Sequence, residues 1–275
     1  MTKIIGLDAG HGLNTAGKRT PDGIREWTLN DRVRDMIVKI LEAYDVKIIH
    51  TDNNEGKIDE SLISRRNMYV NKKVDAFVSI HHNAHLGKWG SANGVEIYTD
   101  INPTAKDKEL AKLIYSNLPK YTGLKGRGIK QADFTVINQD KIPAVLVEGG
   151  FMDNKADHKV ITSSKGQEAY AKAVAEGLIQ FLGLKKKTAQ KPSTPSNTGF
   201  KPYEFKVANV KKGDTLNIRE KPDPSSKKVG ELDYNDPYKY TIIEEKKVGS
   251  QTWGLMKSGQ KYKNRWINLY YTKKV

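Results

Sequence analysis

Four short apolar runs alternate with amphipathic stretches in the first two thirds of the chain, and this alternation limits the folds that it can adopt. The runs cover residues 4–7, 46–49, 76–80 and 144–147. Continuous apolar runs of this length are typical of strands that are buried on both faces, and such strands form largely parallel sheets when helices separate them. We therefore predict an α/β layered domain with a largely parallel, twisted sheet flanked by helices.

Three stretches have the apolar spacing of a helix. The first covers residues 25–44 and places on one face Leu29, Val33, Ile37, Ile40, Leu41 and Tyr44. The second covers about residues 103–118. The third covers about residues 164–182 and buries Tyr170, Val174, Leu178 and Phe181.

A change of composition after residue 183 indicates a domain boundary. Residues 184–202 are rich in Lys, Pro, Ser and Thr and have no apolar periodicity, so they cannot bury enough surface to order themselves. Residues 203–275 then contain short segments rich in Val, Ile, Tyr and Trp between turn-forming residues. We predict a first domain at 1–183, a linker at 184–202 and a small all-β barrel at 203–275.

Charge and residue usage narrow the classes of partner and site. The net charge of +15 favours a polyanionic partner such as nucleic acid, an anionic membrane or a cell wall with acidic polymers. Because the chain has no cysteine, any metal site must use His and carboxylates. The N-terminus reaches Asp8 too early for a signal peptide, and no run approaches the roughly 20 apolar residues of a membrane span. We expect a protein made in the cytoplasm without a signal peptide and without membrane insertion.

Four polar residues stand where a zinc site could form. His11, His81 and Glu148 each lie at the end of a predicted strand, and the carboxyl ends of parallel strands share one edge of a sheet. Glu26 lies in the first turn of the 25–44 helix, where the helix dipole favours an ionised carboxylate. Zinc hydrolases commonly use two His and one carboxylate as ligands and a separate carboxylate to move protons.

Three histidines compete for the second imidazole position. In a strand, His81 projects to the opposite side from His82, so only one of this pair can face an ion, and His85 is a third candidate. The pattern does not choose among them. Any single histidine could instead be a surface or core hydrogen-bonding group.

The ordered motifs around these residues resemble a known family. The chain resembles the zinc-dependent N-acetylmuramoyl-L-alanine amidases of the amidase 3 type in several ordered segments. These are residues 7–12 around His11, Glu26, residues 77–84 around His81, residues 127–129 and residues 143–151 around Glu148. The resemblance covers about residues 1–183. It implies that Zn²⁺ is held by His11, Glu26 and His81 and that Glu148 is the catalytic residue.

The resemblance also implies the reaction and leaves three residue roles open. The expected reaction is hydrolysis of the amide between N-acetylmuramic acid and L-alanine in peptidoglycan, with Glu148 taking a proton from water and passing it to the departing amine. The family has a small residue at His82, which either touches substrate or is packed or solvent-facing. The arginine that the family has ahead of the second histidine falls on Arg66, and Arg65 is the alternative position. Asp8 either orients a histidine or caps the following loop.

The second domain resembles bacterial SH3-like (SH3b) domains over residues 203–275, a resemblance that implies binding of cell-wall peptide or glycan. Aromatic residues could form a stacking groove for that ligand or could belong to the barrel core. The candidates for wall binding are Tyr238, Trp253 and Trp266.

These features favour a monomeric enzyme that lyses the peptidoglycan of a Gram-positive bacterium, as a phage endolysin does after holin-dependent release. A host lysin that acts from inside a dying or sporulating cell is the alternative origin. A nucleic-acid binder is disfavoured because the chain lacks an aromatic-rich binding signature and a recognition helix. A catalytically silent wall-binding protein and a zinc peptidase or deacylase acting on another amide remain alternatives.

Overall fold

The computed structural model describes residues 2–187, 200–234, 236, 239–257 and 265–275. The chain divides into two compact units, Met1–Ala189 and Gln190–Val275. The division falls inside the predicted linker. Within the described residues, none of the helices combines the length and the apolar content needed to cross a membrane.

The first unit is a mixed α/β domain built on six strands. Its elements are, in chain order, β1 (Lys3–Ala9), α1 (Glu26–Leu41), β2 (Val46–His50), α2 (Leu62–Asn71), β3 (Ala76–Asn83), β4 (Val95–Thr99), α3 (Ala105–Thr122), β5 (Gly126–Gln131), β6 (Ala144–Phe151), α4 (Lys155–Ile161) and α5 (Ser164–Leu182). The strands form one sheet in the order β2-β1-β3-β6-β4-β5. All neighbours are parallel except β4 and β6, which run antiparallel.

Both faces of this sheet are covered, which explains the continuous apolar runs of its central strands. On one face, Leu7, Val78 and Val147 pack in a core with α1, α3 and α5. On the other face, Phe77 stacks on Tyr69 of α2 with ring centroids 3.9 Å apart. The prediction of a sheet flanked by helices is confirmed.

The second unit is an all-β domain with an antiparallel sheet. Its elements are β7 (Tyr203–Val207), β8 (Thr215–Arg219), β9 (Lys228–Asp233), β10 (Tyr240–Val248), β11 (Gln251–Met256), β12 (Trp266–Asn268), a 3₁₀ turn at Leu269–Tyr271 and β13 (Thr272–Lys274). In the described residues the strand order is β13-β7-β10-β11-β12-β8-β9. The core of this unit includes Phe205, Ile218 and Ile242. Closure into an SH3-like barrel stays a prediction.

Candidate metal centre

The loop after β1 brings His11 to the edge of the sheet. Gly10 N–H donates to the Ile80 carbonyl of β3 at 3.0 Å, and His11 follows in the left-handed region with φ of 67°. A Cβ on Gly10 would lie 2.0 Å from the His81 ring. Glycine at this position therefore lets the His81 imidazole lie against the backbone that carries His11.

His11, Glu26 and His81 converge at this edge. His11 Nε2 lies 3.3 Å from Glu26 Oε2, and His81 Nδ1 lies 3.1 Å from Glu26 Oε1. The two imidazoles meet edge to face, with ring centroids 4.9 Å apart. One potential ligand atom from each residue lies within 4.8 Å of the others. Two imidazoles and one carboxylate are a donor set that suits zinc.

Glu26 is a buried carboxylate whose charge needs a cationic complement. Its side chain is 2% exposed. Burial raises the pKa of Glu26, but hydrogen bonds and charges from His11 and His81 outweigh burial and hold this pKa well below its ordinary value. Asn30 Nδ2 donates to Glu26 Oε1 at 3.4 Å, and the His82 N–H donates to the same oxygen at 3.3 Å. An ionised carboxylate fixed in this way between two imidazoles fits a divalent cation.

His82 lies on the opposite face of β3 from His81 and is packed. Its Nδ1 lies 2.8 Å from Asn30 Oδ1, and its ring meets Tyr170 edge to face at 5.5 Å. Burial lowers the pKa of His82 to about 4, so this imidazole is neutral near pH 7. His82 thus supports Glu26 through Asn30, and His85 is exposed.

Glu148 lies in β6, beside both the ligand group and a further carboxylate. In the sheet register, Glu148 pairs with His81 on β3 and with Glu96 on β4. Register partners project from the same face, so these three side chains form a row across the sheet. Glu148 Oε2 is buried and has no hydrogen-bond partner among the described residues. Burial, followed by the negative charges of Glu26 and Glu96, raises the pKa of Glu148 well above its ordinary value.

The helix α5 holds two of the three strands that carry this row, β3 and β6. A Cβ on Gly149 would lie 2.0 Å from the Tyr170 ring, so glycine is needed next to Glu148 for the helix to approach. The Tyr170 hydroxyl donates to the Val147 carbonyl at 2.7 Å and lies 3.2 Å from the His81 carbonyl. This hydroxyl therefore fixes the backbone of both strands next to the site.

Asp8 and Arg65 fix the backbone of the His11 loop. Asp8 is buried and accepts hydrogen bonds from Arg65 at 2.7 Å, Ser79 at 2.7 Å and Thr51 at 2.9 Å. Arg65 also donates to the carbonyls of Ala9 and His11, each at 2.9 Å.

Arg65, rather than Arg66, therefore pairs with the buried carboxylate. Arg66 instead donates to the Asn138 carbonyl at 3.1 Å. Asp8 acts on the loop through Arg65, which differs from both roles considered for it from the sequence.

A cleft opens beside His11 and His81 on the α2 side. It has a volume of about 280 Å³. Its lining includes His11, His81, Asp59, Glu60 and Leu62. The ligand group therefore faces a space that a substrate can enter.

The residues predicted to bind cell wall lie in the second unit. Tyr238 lies outside the described residues, Trp253 is 2% exposed, and Trp266 is half-buried. Trp253 lines a cavity of about 490 Å³ together with Tyr270 and Tyr271. Tyr270, at 70% exposure, is far more accessible than either tryptophan.

Sequence comparisons place the chain among peptidoglycan amidases. A family model described as N-acetylmuramoyl-L-alanine amidase matches residues 5–180. The endolysin of Bacillus phage SPP1 is 29% identical over 273 residues, which cover 94% of each chain. The sporulation-specific N-acetylmuramoyl-L-alanine amidase of Bacillus subtilis (strain 168) is 31% identical over 188 residues, which cover 68% of this chain and 70% of the relative.

Solved structures match about two thirds of the chain. The catalytic domain of CwlV, an N-acetylmuramoyl-L-alanine amidase from Bacillus (Paenibacillus) polymyxa var. colistinus, matches with a TM-score of 0.60 and 28% identity, covering 66% of this chain and 99% of that one. An N-acetylmuramoyl-L-alanine amidase from Clostridium difficile 630 matches with a TM-score of 0.62 and 27% identity, covering 66% of this chain and 97% of that one.

Proposed function

Because this chain belongs to the N-acetylmuramoyl-L-alanine amidase family, it is an enzyme that hydrolyses amide bonds in peptidoglycan, and we propose that it does so with a zinc ion held by His11, Glu26 and His81. The observation that carries the proposal is the convergence of these three side chains, with ligand atoms within 4.8 Å of one another. A bound zinc ion supplies a Lewis acid that polarises the scissile carbonyl and makes water more acidic.

Glu148 is the proton carrier in this proposal. It projects from the same face of the sheet as His81, in the neighbouring strand. Burial and the charges of Glu26 and Glu96 raise the pKa of Glu148, so its carboxylate is a stronger base than that of an exposed glutamate. Glu148 accepts a proton from the attacking water and returns it to the amine of L-alanine as the amide bond breaks.

Digestion of purified Gram-positive peptidoglycan tests this function. We expect new L-alanine amino termini without new reducing sugar ends, and we expect their release to stop when zinc is chelated and to resume when zinc is restored. Release that continues at the same rate after chelation would refute the zinc requirement. Intact walls, together with cleavage of a different amide substrate, would instead indicate a peptidase or deacylase.

We propose that the chain is a phage endolysin whose release depends on a holin, and that the second unit then holds the enzyme on the cell wall. The match to the endolysin of a Bacillus phage extends over 94% of this chain and so includes the second unit. The cavity next to Trp253 and the exposed Tyr270 offer aromatic surface for a wall peptide or glycan. A pull-down of residues 200–275 with purified walls tests this role, and a fragment that stays in solution would contradict it.

A further inference from the structure

A buried carboxylate next to the catalytic row orients two cations. Glu96 of β4 is 1% exposed and pairs in register with Glu148. It accepts hydrogen bonds from Arg127 Nε at 2.6 Å and Lys130 Nζ at 2.5 Å, both in β5. Asn83 Nδ2 donates to it at 2.7 Å, so this carboxylate is fixed from several directions.

The two cations carry more charge than Glu96 neutralises, and both reach solvent. The side chains of Arg127 and Lys130 are 32% and 36% exposed. The Arg127 guanidinium lies 4.9 Å from the centre of the Phe151 ring, which restricts its orientation further. Two fixed cations beside one carboxylate leave one net positive charge and unused N–H donors, a combination that suits a carboxylate ligand.

The position of these cations relative to Glu148 matches the length of a short peptide. The strand β4 lies between β6 and β5 in the sheet. Neighbouring strands lie about 4.8 Å apart, so the backbone of β5 lies roughly 10 Å from that of β6, and the two cations, which contact Glu96 of β4, lie nearer to Glu148 than this. Because an extended residue spans about 3.3 Å, a peptide that starts at Glu148 reaches the cations within its first two or three residues.

The cleft on the α2 side of the metal ligands carries negative charge, in contrast to the two cations of β5. The cleft there is lined by the carboxylates of Asp59 and Glu60 and by Leu62, which is 51% exposed. Carboxylates repel an acidic peptide but can accept hydrogen bonds from sugar hydroxyls. The charges on the two sides therefore favour one direction for a substrate that has a sugar at one end and an acidic peptide at the other.

We propose that Arg127 and Lys130, oriented by Glu96, bind a carboxylate of the peptide on the amine side of the scissile amide, so that the peptide crosses β4 and β5 and the sugar lies beside α2. The proposal rests on the amidase function. In this proposal Arg127 and Lys130 touch the substrate, and Glu96 is a positioning residue that orients them.

A matched pair of synthetic muramoyl peptides tests the proposal on the full chain. The two differ at the second peptide residue, which carries a free carboxylate in one and a carboxamide in the other. We expect the acid to have a KM about tenfold lower than the amide, because charge-assisted hydrogen bonds are lost in the amide. In Lys130→Met and Arg127→Met the KM for the acid should rise to that for the amide. Lys112→Met, which removes an exposed cation from α3, is the matched control and should keep the preference.

Two results would overturn the proposal: equal KM values for acid and amide in the unmodified enzyme, or a preference that survives both substitutions. If neither peptide is hydrolysed, the amidase function itself is wrong for these substrates. In that case calorimetry measures the binding of the free peptide in its acid and amide forms. Tighter binding of the acid that is lost in Lys130→Met would support the role of the two cations, and equal binding of acid and amide would refute it.

Discussion

Glu26 is a buried carboxylate and Glu148 a half-buried one at the same site, and their different neighbours give them different chemistry. Glu26 lies between two imidazoles, whereas Glu148 faces two carboxylates and has a buried Oε2 with no partner among the described residues. The first environment favours a charged ligand, and the second favours a group that exchanges a proton.

Glu148→Gln should abolish hydrolysis and leave the fold intact. Loss of a general base typically reduces the rate by about 10²–10⁴-fold. The neutral amide also removes repulsion with Glu26 and Glu96, so we expect the melting temperature to stay constant or rise. Release of amino termini and thermal unfolding measure both effects, with the exposed Glu109→Gln of α3 as control. Activity within tenfold of the unmodified enzyme would rule out Glu148 as the base.

His81→Ala should remove the bound metal. It deletes one imidazole of the ligand group, whereas His85→Ala changes an exposed histidine four residues later. We expect about one zinc per chain by elemental analysis for the unmodified protein and for His85→Ala, and close to none for His81→Ala. Equal zinc content in both variants would show that the ion binds elsewhere.

Arg65→Met should destabilise the first unit strongly because it leaves Asp8 buried without its cation. Removing one partner of a buried ion pair typically costs about 3–5 kcal/mol. Arg66→Met, the neighbouring substitution, loses one hydrogen bond to a carbonyl and should cost about 1 kcal/mol. Urea unfolding of both variants makes the comparison, and the reverse order of stability would contradict the role of Arg65.

The sequence predicts the four central site residues because each stands at the end of a recognisable element, but it does not identify their supporting residues. Arg65 and Arg66 are adjacent on one helix, and only the packing of α2 on the sheet decides which of them is buried. Glu96 was missed although Val95, Glu96 and Ile97 alternate between apolar and polar side chains, which is a signal for a strand. The row of His81, Glu148 and Glu96 depends on strand order, which one sequence does not contain.

At the scale of helices and strands, buried central elements were predictable and exposed ones were not. The strands β1, β2, β3 and β6 and the helices α1, α3 and α5 lie where the apolar patterns predict them. The helix α2 buries Arg65 and Tyr69, so it has no apolar stripe that the sequence could reveal. The edge strand β5 is polar and largely exposed. The antiparallel direction of β4 also has no local signal.

Gly10→Ala tests the close contact between the loop after β1 and the strand β3. The new methyl group would lie 2.0 Å from the His81 ring, so the ring must move. Displacing a metal ligand through its support typically weakens metal binding by about 10–100-fold. Competition with a zinc-binding dye measures this loss. Gly90→Ala, where the nearest atom lies at 3.6 Å, is the matched control, and equal zinc affinity in the two variants would contradict the packing argument.

For the whole molecule, the two units should be separable in function. Residues 1–187 should hydrolyse soluble muropeptides as fast as the full chain but clear intact cells much more slowly, because attachment to an insoluble wall raises the local concentration of substrate. Turbidity of a cell suspension and amine release from muropeptides measure the two activities. Adding the second unit as a separate fragment should not restore clearing, since it no longer carries the enzyme. Equal clearing by the short and full chains would remove the targeting role.

The position of β6 has a consequence for biosynthesis. This strand is the last of the first sheet to leave the ribosome, yet it lies between β3 and β4 and carries Glu148. Until it is made, β3 and β4 have no strand to join them, and His81 lacks its neighbour in the row. A chain that ends before β6 therefore lacks both Glu148 and a joined sheet, so we expect hydrolytic activity to arise only after the last strand of the first unit has been translated.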